Sequence, residues 1–247
     1  MFESVTRKVI RKYEINAIKQ YFYPGMSVLE IGGGDGYQAS IMTSWGCNVI
    51  SVDIETDSDN QQFYPVMKYD GRSLPFANET YDLVITSNVL EHVTHLDELL
   101  SEMKRVMKQQ GIAIHIIPST SWRLWTLIAH YPYLVMRVSE SLFNMKKNNF
   151  QHNSGVVIGV KSSYLSKFVA GPHGEFANAF VELYYFSCAY WNRLFLRNDF
   201  QLLKVANNKL FYTGYHLLNK VSISWREKLA VLLGASCNIF VLKKNLQ

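Results

Sequence analysis

The stretch VLEIGGGDG, Val28 to Gly36, holds four glycines in nine residues, directly behind an apolar run and an acid. Glycine loses more conformational freedom on folding than any other residue. Such a density is kept only where the backbone must turn tightly or let something approach closely. The runs MSVLEI (26–31) and CNVISVDI (47–54) on either side are short and β-branched, as buried parallel strands require. Tyr37–Trp45 between them reads as a helix. Strand, glycine turn and helix in that order make a βαβ unit. They put any ligand at the carboxyl end of the first strand.

The same rhythm continues. PVMKYD (65–70) reads as a third strand and YDLVITSN (81–88) as a fourth. Thr94–Lys108 reads as a strongly patterned helix stopped by Gly111, and IAIHIIPS (112–119) as a fifth strand. The rhythm then breaks from residue 119 to about 185, and returns with a helix near Ser187–Arg197, a sixth strand FQLLKVA (200–206) and a last strand CNIFVLKK (237–244). Before the first strand, Val5, Val9, Tyr13, Ala17 and Tyr21 recur every fourth residue, the mark of an amphipathic helix. The expected organisation is an N-terminal helix (1–24), an α/β domain (25–118 and 187–247) and a substrate cap inserted after the fifth strand (119–186). A smaller insertion precedes the last strand.

Charge divides the chain. Residues 1–118 carry 10 Lys+Arg against 15 Asp+Glu; the remainder carries 15 against 5, with 22 of the 34 aromatic residues. A basic, aromatic second part suits an anionic acceptor, a nucleic acid or a membrane surface, or is simply a solvated face. LWTLIAHYPYLVM (124–136) is too short for a span of roughly 20 residues. It reads as a pair of core or lid helices or as an interfacial segment, with Arg123, Arg137, Lys146 and Lys147 around it. Weak association with anionic membranes is the expectation. Cys47, Cys188 and Cys237 are few and scattered, which fits a reducing compartment. With no leader pattern in the first residues, the expected location is cytoplasmic, at most peripheral on the inner face of the membrane.

Two ligands use a glycine turn of this kind: a dinucleotide, and S-adenosylmethionine. Gly34-x-Gly36-x-x-Ala39 fits the loose dinucleotide pattern. Glu30 favours the second ligand, because a carboxylate before the glycines repels a pyrophosphate and attracts an ammonium group. Asp53, ending the second strand, suits ribose hydroxyls of either. VLEIGGGDG, Asp53 after VISV, YDGRSLPFANETYDLVITSNVLEHV and LDELLSEMKRVMKQQGIAIHIIPS together resemble the class I S-adenosylmethionine-dependent methyltransferases, over about residues 25–120. A looser resemblance, through WNRLFLRNDF and GYHLLNKV…LAVLLGASCNIFVLKK, is to methyltransferases of bacterial surface-polysaccharide biosynthesis.

The resemblance implies a Rossmann-like, mostly parallel seven-stranded sheet with its last two strands antiparallel. It also implies roles. Glu30 and the backbone at Gly32, Gly34 and Gly36 would hold the methionine moiety, Asp53 the ribose, and Ile54 the adenine face. Asp70 would accept from the adenine amino group beside Gly71 and Arg72, and Ser87 and Asn88 would line the methionine side. No metal-ligand pattern flanks the loop, so the cofactor is expected to bind without a metal.

A hydroxyl acceptor needs a base. His173, in AGPHGEF within the expected cap, is the first candidate and His92 the second; His115, in an apolar strand, reads as core, and His95 as solvated. The expected acceptor is the hydroxyl of a sugar or lipid-linked glycan. Other small molecules remain open, and nucleic acid is disfavoured for want of an Asn/Asp-Pro-Pro-Tyr segment. A catalytically silent scaffold and a nicotinamide-dependent oxidoreductase are the readings from other classes.

Overall fold

The computed structural model describes residues 2–55, 62–149, 171, 173–174, 178–215 and 221–245; the side chains of 2–6, 138 and 140–149 lie outside the description. Pro172, residues 150–170 of the expected cap, and the side chains of Val5, Lys146 and Lys147 are therefore outside it too.

Seven strands form one sheet: β1 (Ser27–Ile31), β2 (Asn48–Asp53), β3 (Val66–Lys68), β4 (Tyr81–Ser87), β5 (Met107–Pro118), β6 (Phe200–Asn207) and β7 (Cys237–Lys244). Their order is β3-β2-β1-β4-β5-β7-β6. The first five run parallel, and β7 is antiparallel to both β5 and β6. This is the doubly wound α/β arrangement expected from the sequence.

Side chains alternate between two apolar layers, as period two demands. Leu29, Ile31, Val84, Ala113, Ile117 and Phe240 pack on one face with Leu99, Leu100 and Met103 of α3 (Leu96–Val106) and with Trp191 and Phe195 of α6 (Cys188–Arg197). Val28, Leu83, Ile85, Ile114, Ile116 and Ile239 pack on the other with Ile15 of α1 (Phe2–Ala17), Ile18, and Ala39 and Met42 of α2 (Tyr37–Ser44). The two strands that carry the site are thus held from both sides.

Four local expectations differ from the structure. In α1 the buried positions are Glu14 and Ile15, with Ile18 just beyond; Val9 and Ala17 of the anticipated stripe are exposed. The helix α3 ends at Val106, and β5 begins at once with Met107. Gly111 is inside that strand, at the register shift against β4, where a Cβ would lie 3.1 Å from the carbonyls of Lys108 and Tyr81. Close backbone approach, not helix termination, is what this glycine serves. Residues 124–136 belong to one helix, α4 (Thr120–Asn149), which continues through Pro132 instead of splitting into a pair. The stretch before β7 contains a further helix, α7 (Ile223–Leu233), started by Ser222, whose hydroxyl accepts from the Trp225 N–H.

Candidate active site

β1 lies between β2 and β4, so the chain order reverses there. At such a point in an open α/β sheet, the carboxyl ends of the strands leave a crevice for ligands. The glycine turn fills that edge. The N–H groups of Gly32 and Gly33 donate to the Val52 carbonyl at 2.8 and 3.1 Å, and the Gly34 N–H donates to Asp53 Oδ2 at 2.8 Å. The turn is therefore tied to the end of β2, and Asp53 is held at its rim. Gly34 has φ +56° and open space where a Cβ would stand.

Glu30 lies beneath the turn. It is buried, and its Oε2 accepts from the Ser51 hydroxyl at 2.6 Å. A Cβ on Gly33 would collide with both groups. Burial pushes the Glu30 carboxyl up to about 7, the Ser51 hydrogen bond opposing and Asp53 and Asp35 adding to the rise. The acid thus supports the loop from below.

The second loop is built by Asp70. Its Oδ1 accepts the N–H groups of Arg72 and Ser73, both at 2.8 Å, which holds this carboxyl below the usual carboxylate range. This is ordinary turn chemistry. Ile54 is exposed and faces Gly71, where a Cβ would lie 3.0 Å from its Cγ2. Arg72 meets Glu98 at 3.4 Å in solvent. His95, expected to be solvated, is half-buried instead: its Nε2 lies 2.6 Å from the Gly71 carbonyl, so that nitrogen carries the proton and pins the loop to the start of α3. At the end of β4, Ser87 is followed by Asn88 in the left-handed region (φ +56°), its Nδ2 donating to Ser87 Oγ at 3.3 Å.

The two histidines singled out as base candidates lie against each other. His92 ends a 3₁₀ turn, Leu90–His92, and His173 comes from far along the chain; their ring centroids are 5.0 Å apart. Trp122 of α4 packs against His173 at 4.6 Å. The ring reaches solvent on one side and packs on Trp122 and Phe186 on the other; that partial burial, with His92, Arg123 and Arg11 adding, pushes the His173 imidazole down to about 4 and favours its neutral form, which has a lone pair to offer. His173 is fixed through its backbone. The N–H groups of His173 and Gly174 donate to Glu182 Oε1 at 2.6 and 2.7 Å. The other Glu182 oxygen meets Arg123 Nε at 2.6 Å, a charge contact without the line of a hydrogen bond, and Arg123 also donates to the Gly171 carbonyl. Glu182 is on α5 (Val181–Tyr185), a short helix inside the stretch where no rhythm was legible.

Beside this pair lies Glu91. It is fully buried, neither side-chain oxygen has a hydrogen-bond partner among the described residues, and burial pushes it up to about 8. Glu91, His92 and His173 each present one ligand atom, all within 4.8 Å of one another. His115 is core, as expected: it is buried, 2.8 Å from Thr86 Oγ1, stacked on Phe195, and pushed down to about 3 by burial.

A family model described as a methyltransferase domain matches residues 5–205. The chain belongs to this family. Among curated relatives, an uncharacterized methyltransferase of Mycolicibacterium vanbaalenii is 34% identical over 97 residues, which is 36% of this chain and 38% of the relative. One of Mycobacterium tuberculosis is 35% identical over 99 residues, 36% and 38% of the two chains. The match thus spans well under half the length of these relatives. Two solved structures titled as S-adenosylmethionine-dependent methyltransferases share the fold. The one from Archaeoglobus fulgidus has a TM-score of 0.54 at 20% identity, over 99% of this methyltransferase and 95% of that chain. The one from Mesorhizobium loti has 0.55 at 13%, over 94% and 98%.

Proposed function

We propose that this methyltransferase takes a methyl group from S-adenosylmethionine and places it on a hydroxyl of a sugar or lipid-linked glycan, as in surface-polysaccharide biosynthesis. The observation that carries the reading is the acid–glycine turn at the strand switch point, with Asp53 at its rim and an open Cβ position at Gly34. Bound S-adenosylmethionine supplies a sulfonium-activated methyl group. The residues of this chain bind and orient. Glu30 and the backbone of Gly32, Gly34 and Gly36 hold the methionine end, with Ser87 and Asn88 lining it. Asp53 accepts from the ribose hydroxyls and Ile54 covers the adenine. Asp70 accepts from the adenine amino group through the oxygen that its turn leaves over, beside Gly71 and Arg72. Alignment of acceptor and methyl can supply roughly 7–11 kcal/mol of the barrier. His173, with His92 second, serves the acceptor proton. Residues 119–186 act as the cap that selects the acceptor, and its basic, aromatic character suits a phosphorylated sugar carrier. The protein works in the cytoplasm, in weak contact with anionic lipid at the inner face.

Calorimetry with S-adenosylmethionine and with NAD is the first test. The expected result is binding of the former only, weakened by a few kcal/mol in Asp53→Ala through the loss of charge-assisted hydrogen bonds. Equal binding in that variant overturns the ribose assignment. Uptake of labelled methyl by nucleotide sugars and glycolipids tests the acceptor class. There His173→Gln should slow turnover by about 10²–10⁴-fold with cofactor affinity intact.

A further inference from the structure

We propose that Glu91, His92 and His173 form a binding site for a divalent transition-metal ion, zinc before others. Three observations carry it. The ligand atoms lie within 4.8 Å of one another, and His92 Nε2 is 3.9 Å from Glu91 Oε1. Metal–ligand bonds of about 2.0–2.2 Å put neighbouring ligand atoms roughly 3.3 Å apart in a tetrahedral site. The cluster therefore has to contract by about an ångström, which rotation of the partly exposed His92 and His173 rings can supply.

The second observation is Glu91 itself. A fully buried carboxyl with neither oxygen hydrogen-bonded is costly to keep, and the usual compensation is a partner charge or a metal. Arg11 of α1, whose charge reaches Glu91, gives its hydrogen bond to Glu14 at 2.7 Å instead. Third, the donor set selects the class of ion. Two imidazoles and one carboxylate suit zinc and its first-row neighbours, whereas magnesium and calcium prefer all-oxygen ligands. Three protein ligands, with the histidines reaching solvent, leave a coordination position open on the solvent side, the pattern of a reactive rather than a closed structural site.

The inference goes beyond methyl transfer and stands without it. In the ion-loaded protein both imidazoles are ligands, and their service as proton acceptors belongs to the ion-free protein.

The test uses the full chain stripped with a chelator and titrated with zinc against a chromophoric competitor, then with cobalt to read ligand-field absorption. One ion per chain, with cobalt bands of a low-coordinate nitrogen–oxygen site, is the expected result. His92→Gln and His173→Gln, both at the surface, should each weaken binding tenfold or more. Glu91→Gln should do the same if it folds, and His130→Gln should not. Failure to bind zinc, or binding that survives the His92→Gln/His173→Gln double variant, overturns the site. Neither result depends on calorimetry with S-adenosylmethionine: a chain that binds the cofactor and fails to bind zinc loses the metal site and keeps the methyltransferase reading, and a chain that binds zinc and not the cofactor does the reverse.

Discussion

At the scale of single residues, the glycine turn is governed by what lies beneath it. Glu30 and Ser51 fill the space under Gly33, and burial holds the Glu30 proton more tightly in the folded chain than in the unfolded one. A carboxyl whose folded value is raised, here from 4.5 to about 7, favours the folded state at low pH. Its contribution is lost as pH rises through that window and is flat above it, because stability falls with pH wherever the native state binds more protons. The change is on the order of 3 kcal/mol, at 1.36 kcal/mol per pH unit of difference. Carboxylates such as Asp97 and Asp82, held low by their partners, work in the opposite direction. The clean measurement is therefore a difference. Urea midpoints of wild type and Glu30→Gln, followed from pH 4.5 to 7, should diverge, with wild type losing stability relative to the variant. Parallel curves would mean that Glu30 is ionised throughout.

At the scale of elements, the turn that carries His173 is held by α4 and α5 together, through the buried pair Arg123–Glu182. Breaking a buried pair on one side leaves an uncompensated charge and costs about 3–5 kcal/mol. Glu182→Gln should fall in that range by urea denaturation. The Arg123→Met/Glu182→Gln double variant should recover part of it, since the glutamine carbonyl still accepts from His173 and Gly174 while no charge is stranded. If the double variant is as unstable as the sum of the singles, the pair is not coupled.

This clamp also marks the limit of what was legible in the chain. β1, β2, β4, β6 and β7 follow their apolar runs to within a residue or two, because each run is a short apolar stretch bounded by turn residues; β1, β4 and β7 are in addition buried on both faces, whereas β6 is an edge strand. The glycine turn, Asp53 and the Ser87–Asn88 edge were readable for the same reason: they are local to strand ends. Glu182 and Ser51 were not, because their roles come from contacts with residues distant in sequence. α4 was misread as a pair because Pro132 is a helix breaker by itself, yet packing carries the helix through it.

At the scale of the whole molecule, the described residues expose apolar side chains on two helices that meet at one point. Leu124, Ile128, Tyr131 and Val135 fall on one stripe of α4, and all four are exposed. The end of α7 adds Val231 and Leu232, at 86% and 80% exposure. The two helices are joined there by the Trp125 indole, which donates to the Leu233 carbonyl at 2.9 Å. Soluble monomers seldom show large contiguous apolar patches, and those they show serve an interaction. Lys228, one turn before Val231 and Leu232, borders the α7 end of this face and lies over the Trp225 ring at 4.8 Å. No helix among the described residues is long and apolar enough to cross a membrane. The face instead suits shallow insertion at an interface, with the basic rim adding attraction to anionic headgroups. A lipid-linked acceptor would meet the enzyme on that side. Co-sedimentation with vesicles should therefore show binding to anionic but not neutral lipid, fading as salt shortens the reach of the exposed charges. Val231→Asp/Leu232→Asp should abolish it with the unfolding midpoint unchanged, because both side chains stand in solvent. Absence of binding at low salt, or binding indifferent to those substitutions, would mean that the acceptor arrives from solution and that this face serves a different partner.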